Sequence, residues 1–127
     1  MTSQPVAANS WITDLFASID RRDAEGFSGF LTEDARFSFG NQPPVEGRAA
    51  VRDAVGAFFD SIAGLEHRVE RVWEYGESVV CHGEVSYQRL DGGRVTLPFA
   101  DIFYMQDNLI SDYRIYMDVT PLFADAG

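Results

Sequence analysis

The hydrophobic pattern of this chain changes its period once, just after Leu65, and that change decides what it can fold into. Before it, apolar residues recur at helical spacing. After it, they alternate as in strands. A chain that runs its helices first and its long strands second is an α+β protein, with the helices on one face of an antiparallel sheet.

Asn9 or Ser10 can cap a first helix that reaches about Arg21, with Ile12, Leu15, Phe16 and Ile19 on one buried face. Asp23 can cap a short second helix carrying Phe27, Phe30 and Leu31. Thr32-Glu33-Asp34 reads as a break before a short strand over residues 35–39, and Pro43 and Pro44 lack the N–H donors to continue it. A third helix over residues 48–62 has the apolar stripe Val51, Ala54, Val55, Phe58, Phe59 and Ile62. Four strands follow, over residues 67–75, 78–90, 94–106 and 109–117. Gly76-Glu77, Asp91-Gly92-Gly93 and Asp107-Asn108 separate them with hairpin chemistry. The first eight residues read as a short disordered tail, and residues 9–127 as one domain.

Composition excludes several functions. A net charge of −10 argues against nucleic acid and against an anionic membrane surface. Cys81 is the only cysteine, so an intrachain disulfide is ruled out, and its apolar strand makes it a buried, inert thiol. The N-terminus MTSQPVAAN lacks the regions of a signal peptide, and a cytoplasmic location is the expectation. Phosphate loop, dinucleotide fingerprint, metal-spaced His/Cys cluster and nucleophile-elbow serine are all missing, so no cofactor and no metal are expected.

Three stretches, FLTEDARFSFG, GRAAVRDAVGAFF and ISDYRIYMD, resemble the nuclear transport factor 2-like superfamily, and the last resembles the end of a SnoaL-like domain. The resemblance covers residues 9–122. It implies a cone: three N-terminal helices packed on a curved, mostly antiparallel sheet that encloses a pocket. Ketosteroid isomerase is a member; its late-strand Asp matches Asp101, whereas its helix Tyr and its base fall on Leu15 and near Phe39. Steroid isomerisation by that route is therefore not expected. In limonene-epoxide hydrolase the last-strand Asp matches Asp118, and its Arg-x-Asp pair falls on His82-Gly83-Glu84. A His stands where that enzyme has Arg, so epoxide hydrolysis is not expected either.

Asp101 is the sharpest candidate. Period-2 alternation puts it on one face with Leu97, Phe99, Phe103 and Met105, where desolvation would raise its pKa into the range useful for acid–base chemistry. Its neighbours depend on the hairpin at residues 91–93. A two-residue turn places His82 or Glu84 opposite Asp101, and His82 would then be its acid–base partner. A three-residue loop places Gly83 opposite and brings Val85 and Tyr87 to that face. Arg114, Tyr116 and Asp118 share a face if the last strand is regular, and they would place a substrate or add a second acid. Phe99, Phe103, Trp11 and Phe58 are wall candidates, and His67 reads as a surface strand residue.

The resemblance implies cofactor-independent cyclisation, isomerisation or dehydration of a hydrophobic carbonyl compound. Asp101, His82 and Asp118 would be catalytic, and Tyr116, Arg114 and Glu84 would place the substrate. The alternative is a domain of the same fold that only binds a small ligand or a protein. The sheet face left bare by the helices, with Val85, Tyr87, Ile102, Tyr104 and Ile115 as candidates, implies a homodimer.

Overall fold

The computed structural model describes residues 10–123, so the tail assigned to the first eight residues lies outside the described residues. Helix α1 (Ser10–Asp20) buries Ile12, Leu15, Phe16 and Ile19, the stripe set by its sequence. Helix α2 (Ala24–Ser28) is capped by Asp23, whose Oδ1 accepts the Gly26 N–H at 2.9 Å. Phe27 is on this helix, but Phe30 lies past its end and Leu31 opens strand β1 (Leu31–Phe39). The expected break at Thr32-Glu33-Asp34 is instead an irregularity inside β1, where the register slips between Leu31 and Arg36. After the prolines, β2 (Val45–Glu46) pairs back onto β1, and Gly47, at a φ of 97° open to glycine, turns the chain into α3 (Arg48–Asp60).

Strands β3 (Gly64–Tyr75), β4 (Ser78–Gln88), β5 (Arg94–Gln106) and β6 (Leu109–Tyr116) form the meander, and a short α4 (Thr120–Phe123) follows. The sheet has six strands in the order β2-β1-β6-β5-β4-β3. Only β1 and β6 run parallel. Residues on β4 alternate buried and half-buried, so one face meets the helices and the other does not. Helix α1 packs on β3 and α3 on β1, and the core lies between. No helix among the described residues is long and apolar enough to cross a membrane.

Two local features decide which side chains look inward. The β4–β5 pairing runs to Gln88↔Arg94, and the Arg89 N–H donates to the Gly93 carbonyl across the turn at 2.8 Å. The loop is therefore Leu90-Asp91-Gly92, an odd count, with the Asp91 carboxylate accepting the Gly93 N–H at 2.9 Å. Asp101 then lies opposite Cys81, not His82, Gly83 or Glu84. Cys81, Val85 and Tyr87 face the core, whereas His82 and Glu84 face out. The second feature is a bulge at Ser111, between the pairs Tyr104↔Asp112 and Met105↔Ile110. It brings Tyr113 and Ile115 inward and sends Arg114 and Tyr116 to the outer face. Of the residues expected on the bare face, Ile102 and Tyr104 are there; Val85, Tyr87 and Ile115 point the other way. Gly83 is required where it stands, because a Cβ there would collide with the Arg68 carbonyl beside the β3 bulge.

Candidate functional site

A cavity of about 430 Å³ lies between the concave sheet face and helices α1 to α3. Phenylalanines 27, 37, 39, 58 and 59 supply most of its wall. Their rings meet edge to face, as Phe27–Phe37 does at 6.1 Å and Phe39–Phe58 at 5.2 Å. Its rim at Gln42-Pro43-Pro44 is exposed, so the β1–β2 connection forms the mouth. Within this apolar wall the polar groups are Gln42, His67 and Tyr113.

His67 is not the surface residue its sequence suggested. It follows Leu65 by two on β3, shares that residue's inward face, and leaves only 10 % of its side chain exposed. Asp20, the last residue of α1, grips it twice. The Asp20 Oδ1 lies 2.7 Å from His67 Nδ1, and Oδ2 accepts the His67 backbone N–H at 3.1 Å. The imidazole is packed between Phe16, at 4.6 Å, and Phe99, at 5.3 Å. Ring and tautomer are thereby set: in the neutral imidazole Nδ1–H donates to the carboxylate, and Nε2 keeps its lone pair.

Tyr113 stands on the sheet floor. Its hydroxyl donates to Asp101 Oδ2 at 3.3 Å. Asp101 is 1 % exposed, and its Oδ1 has no hydrogen-bond partner among the described residues. Burial drives the Asp101 carboxyl well above the usual carboxylate range, only partly opposed by the bond from Tyr113. Burial and the nearby Asp101 likewise raise the Tyr113 phenol. Cys81, across the strand pair, is buried, and burial pushes its thiol up.

The other sequence candidates lie elsewhere. His82 stacks on Trp73 at 5.5 Å on the outer face, with Glu70 at 3.8 Å, and has no contact with Asp101. Glu84 takes a hydrogen bond from Arg68 at 2.6 Å. Arg114 is forked onto Asp112 at 3.2 and 3.4 Å and lies over the Tyr104 ring. Tyr116 is half exposed beside it. Hydrogen bonds from Thr120, first its side chain and then its N–H at 3.0 Å, lower the Asp118 pKa. Trp11 packs edge-on against Phe103 at 5.3 Å, and Phe103 lies 4.6 Å from Tyr113. Phe58 lines the cavity, and Phe99 backs His67. Sequence reasoning missed His67, Asp20 and Tyr113. The phase of β3, read from Leu65, was the available signal for His67. Among the described residues, no group of three or more His, Cys, Asp or Glu is placed to hold a metal ion.

Comparison with known proteins agrees with this architecture. A family model described as a SnoaL-like domain matches residues 12–113. A proposed polyketide cyclase from Xanthomonas campestris pv. campestris superposes with a TM-score of 0.81 at 21% identity, covering 94% of this chain and 96% of that one. An epoxide hydrolase of the limonene-epoxide hydrolase-like kind from M. tuberculosis gives 0.75 at 17% identity, over 88% and 83%. TerC, co-crystallised with polyporic acid, gives 0.76 at 20% identity, over 87% and 91%. No curated protein matches. The fold is the nuclear transport factor 2-like cone, and the chain belongs to the SnoaL-like domain family.

Proposed function

We propose that this protein is a cofactor-independent enzyme that moves a proton on a hydrophobic, carbonyl-bearing substrate held in the concave cavity. The observation that carries the reading is the Asp20–His67 pair at the cavity wall. A base needs a free lone pair, a set orientation and a dry surrounding. Among the described residues His67 Nε2 has no hydrogen-bond partner, Nδ1 is held by Asp20, and the rings of Phe16 and Phe99 pack on the imidazole, the second at right angles.

In the proposed reaction His67 Nε2 takes a proton from the carbon beside the carbonyl. Negative charge then grows on the carbonyl oxygen, and Tyr113 is the wall group able to donate to it. Asp101 serves through Tyr113 as a positioning residue. A neutral Asp101 has one proton for two oxygens and can donate it to Tyr113 Oη, which turns the phenol's own O–H toward the cavity. Returning the proton at another carbon gives isomerisation; attack of the enolate on a second carbonyl gives cyclisation. Binding of polyporic acid by TerC supports a small-molecule occupant for a cavity of this shape. The catalytic role expected for Asp101 is thus retained in indirect form, whereas His82, Glu84, Arg114, Tyr116 and Asp118 have no part in it.

The test needs no knowledge of the product. Aryl and polycyclic ketones are incubated with the protein in deuterated water, and deuterium at the α-carbon is read by mass spectrometry. Exchange that disappears in His67→Gln supports the proposal. Exchange untouched by His67→Gln, or absent for every ketone that binds, sinks it.

The convex face supports a second copy as partner. Trp73, Tyr104 and Tyr116 are exposed there, and helices cover only the other face. Light scattering that gives a monomer mass at micromolar concentration removes the dimer.

A further inference from the structure

A second cavity, of about 470 Å³, lies on the far side of α1, between that helix and the free edge of β3. Its floor is apolar, from Ile12, Phe16, Val69 and Val72. Its ionisable residues are Asp20, His67, Glu70 and Arg71. His67 is the one residue that lines both this groove and the concave cavity. Asp20 lines the groove alone, and 26 % of its side chain is exposed. The imidazole is thus a partition. Its Nδ1 edge is held by a carboxylate that belongs to the groove, and Nε2 is the ring nitrogen left for the cavity.

We propose that the groove between α1 and β3 is the route by which His67 exchanges protons with solvent while the cavity is filled. The inference rests on His67 being the base. The cavity has an apolar wall and an exposed rim at Gln42-Pro43-Pro44, so a substrate that fills it displaces water from that side of His67. A base enclosed there could only hand back the proton it took. The groove removes that restriction. The substrate's proton arrives at Nε2 and makes an imidazolium. The Nδ1 proton passes to Asp20 Oδ1, its partner at 2.7 Å, and from there to groove water, which leaves the Nε2–H tautomer and one proton in the groove. On the return, the groove proton comes back to Nδ1 by way of Asp20, leaving water behind, and Nε2 delivers its proton to the product. One proton enters and one leaves the ring at each stage, with water as the co-reactant. Asp20 carries the proton only in passing and otherwise positions the ring, holding Nδ1 on the groove side. The residue sequence builds this partition by ending α1 on Asp20, one residue after the core anchor Ile19.

The experiment uses nitrogen-labelled histidine in the His82→Gln variant, which leaves His67 as the only histidine signal. The cavity is filled with the neutral probe N-phenylnaphthylamine, and exchange of the His67 Nδ1 proton with water is measured by saturation transfer. Exchange is expected to stay within about twofold of the probe-free rate. Plugging the groove with Thr13→Leu, an exposed groove residue, is expected to slow it by about tenfold or more at unchanged probe affinity. Ala17→Leu, half-buried in the same groove, should act alike. If filling the cavity slows exchange tenfold and plugging the groove does nothing, the route is overturned. If the probe binds without moving the His67 nitrogen shifts, the placement of His67 at the substrate fails instead, a distinct outcome that overturns the base assignment and this inference with it.

Discussion

The two faces of one sheet use carboxylates in opposite ways. On the convex face Asp112 forks Arg114 and Glu84 pairs with Arg68, with the cations fully or partly in water. On the concave side Asp20 and Asp101 each hold a single group that lines the cavity, a histidine and a tyrosine. The convex pairs are screened by water and add little to stability. The concave pairs sit beside an apolar cavity, Asp101 fully buried and Asp20 open only to the groove, and each orients the group it holds. The same side chain pairs with an exposed cation on one side and with a cavity-lining group on the other, and for the strand residues the register decides which.

That register gives the largest expected effect. Ser111 is the extra residue of the β6 bulge, so its deletion closes the ladder with every later residue on its present face. Urea denaturation should show a loss of only about 1–2 kcal/mol for that deletion. Deleting Arg114 removes a residue beyond the bulge, which drives Ile115 outward and Tyr116 into its place beside Asp101. That variant should lose more than about 4 kcal/mol and fail to fold cooperatively. Equal costs for the two deletions would mean the bulge does not set the faces.

Next in size is the base. His67→Gln should lower α-deuterium exchange by about 10²–10⁴-fold. Asp20→Asn should cost about 10²-fold by releasing the tautomer, with N-phenylnaphthylamine affinity unchanged. A drop in both exchange and affinity would make the pair a wall element instead of a base.

How much of this was legible in the sequence depends on the scale. The helix stripes, the turn residues and the change of period after Leu65 were enough for helices on one face of an antiparallel meander, because each depends on neighbours along the chain; the cone came from the resemblance. Asp101 was found because a carboxylate between Phe99 and Phe103 is costly wherever the strand goes. Of the two readings of its neighbours, the three-residue loop was right that Val85 and Tyr87 share the face of Asp101, though Cys81 and not Gly83 lies opposite, and Tyr113 was not found. Counting from the turns assumes an unbroken ladder, and the odd loop Leu90-Asp91-Gly92 moved His82 and Glu84 outward. The Ser111 bulge did the same to Arg114 and Tyr116. Asp20 and His67 are 47 residues apart, and nothing local links a helix end to a strand.

Asp101 gives a pH signature that the convex carboxylates lack. Burial keeps its folded form protonated above the range where the unfolded chain releases that proton, near pH 4. The folded state then binds one proton more. Its stability contribution is full below about pH 4 and is lost as pH rises, at about 1.4 kcal/mol per unit, until the folded carboxyl ionises. Asp101→Asn keeps an acceptor for Tyr113 and removes the proton, so its denaturation midpoint should lose this falling limb. A wild-type profile parallel to that of Asp101→Asn from pH 4 to 7 would show that the carboxyl is ionised in the fold.

The smallest effects belong to the convex face, and their smallness is the point. Arg114→Gln, Glu84→Gln and His82→Gln should each change monomer stability by less than about 0.5 kcal/mol and leave α-deuterium exchange within about twofold. Arg114 is the most demanding of the three. Its guanidinium touches both Asp112 and the Tyr104 ring, so some packing is lost with the charge. If any of the three cuts exchange as deeply as His67→Gln, chemistry occurs on the convex face as well, and the division between the two faces is wrong. If instead one of them shifts the dimer equilibrium and nothing else, the convex pairs are interface contacts, and the concave cavity keeps the chemistry to itself.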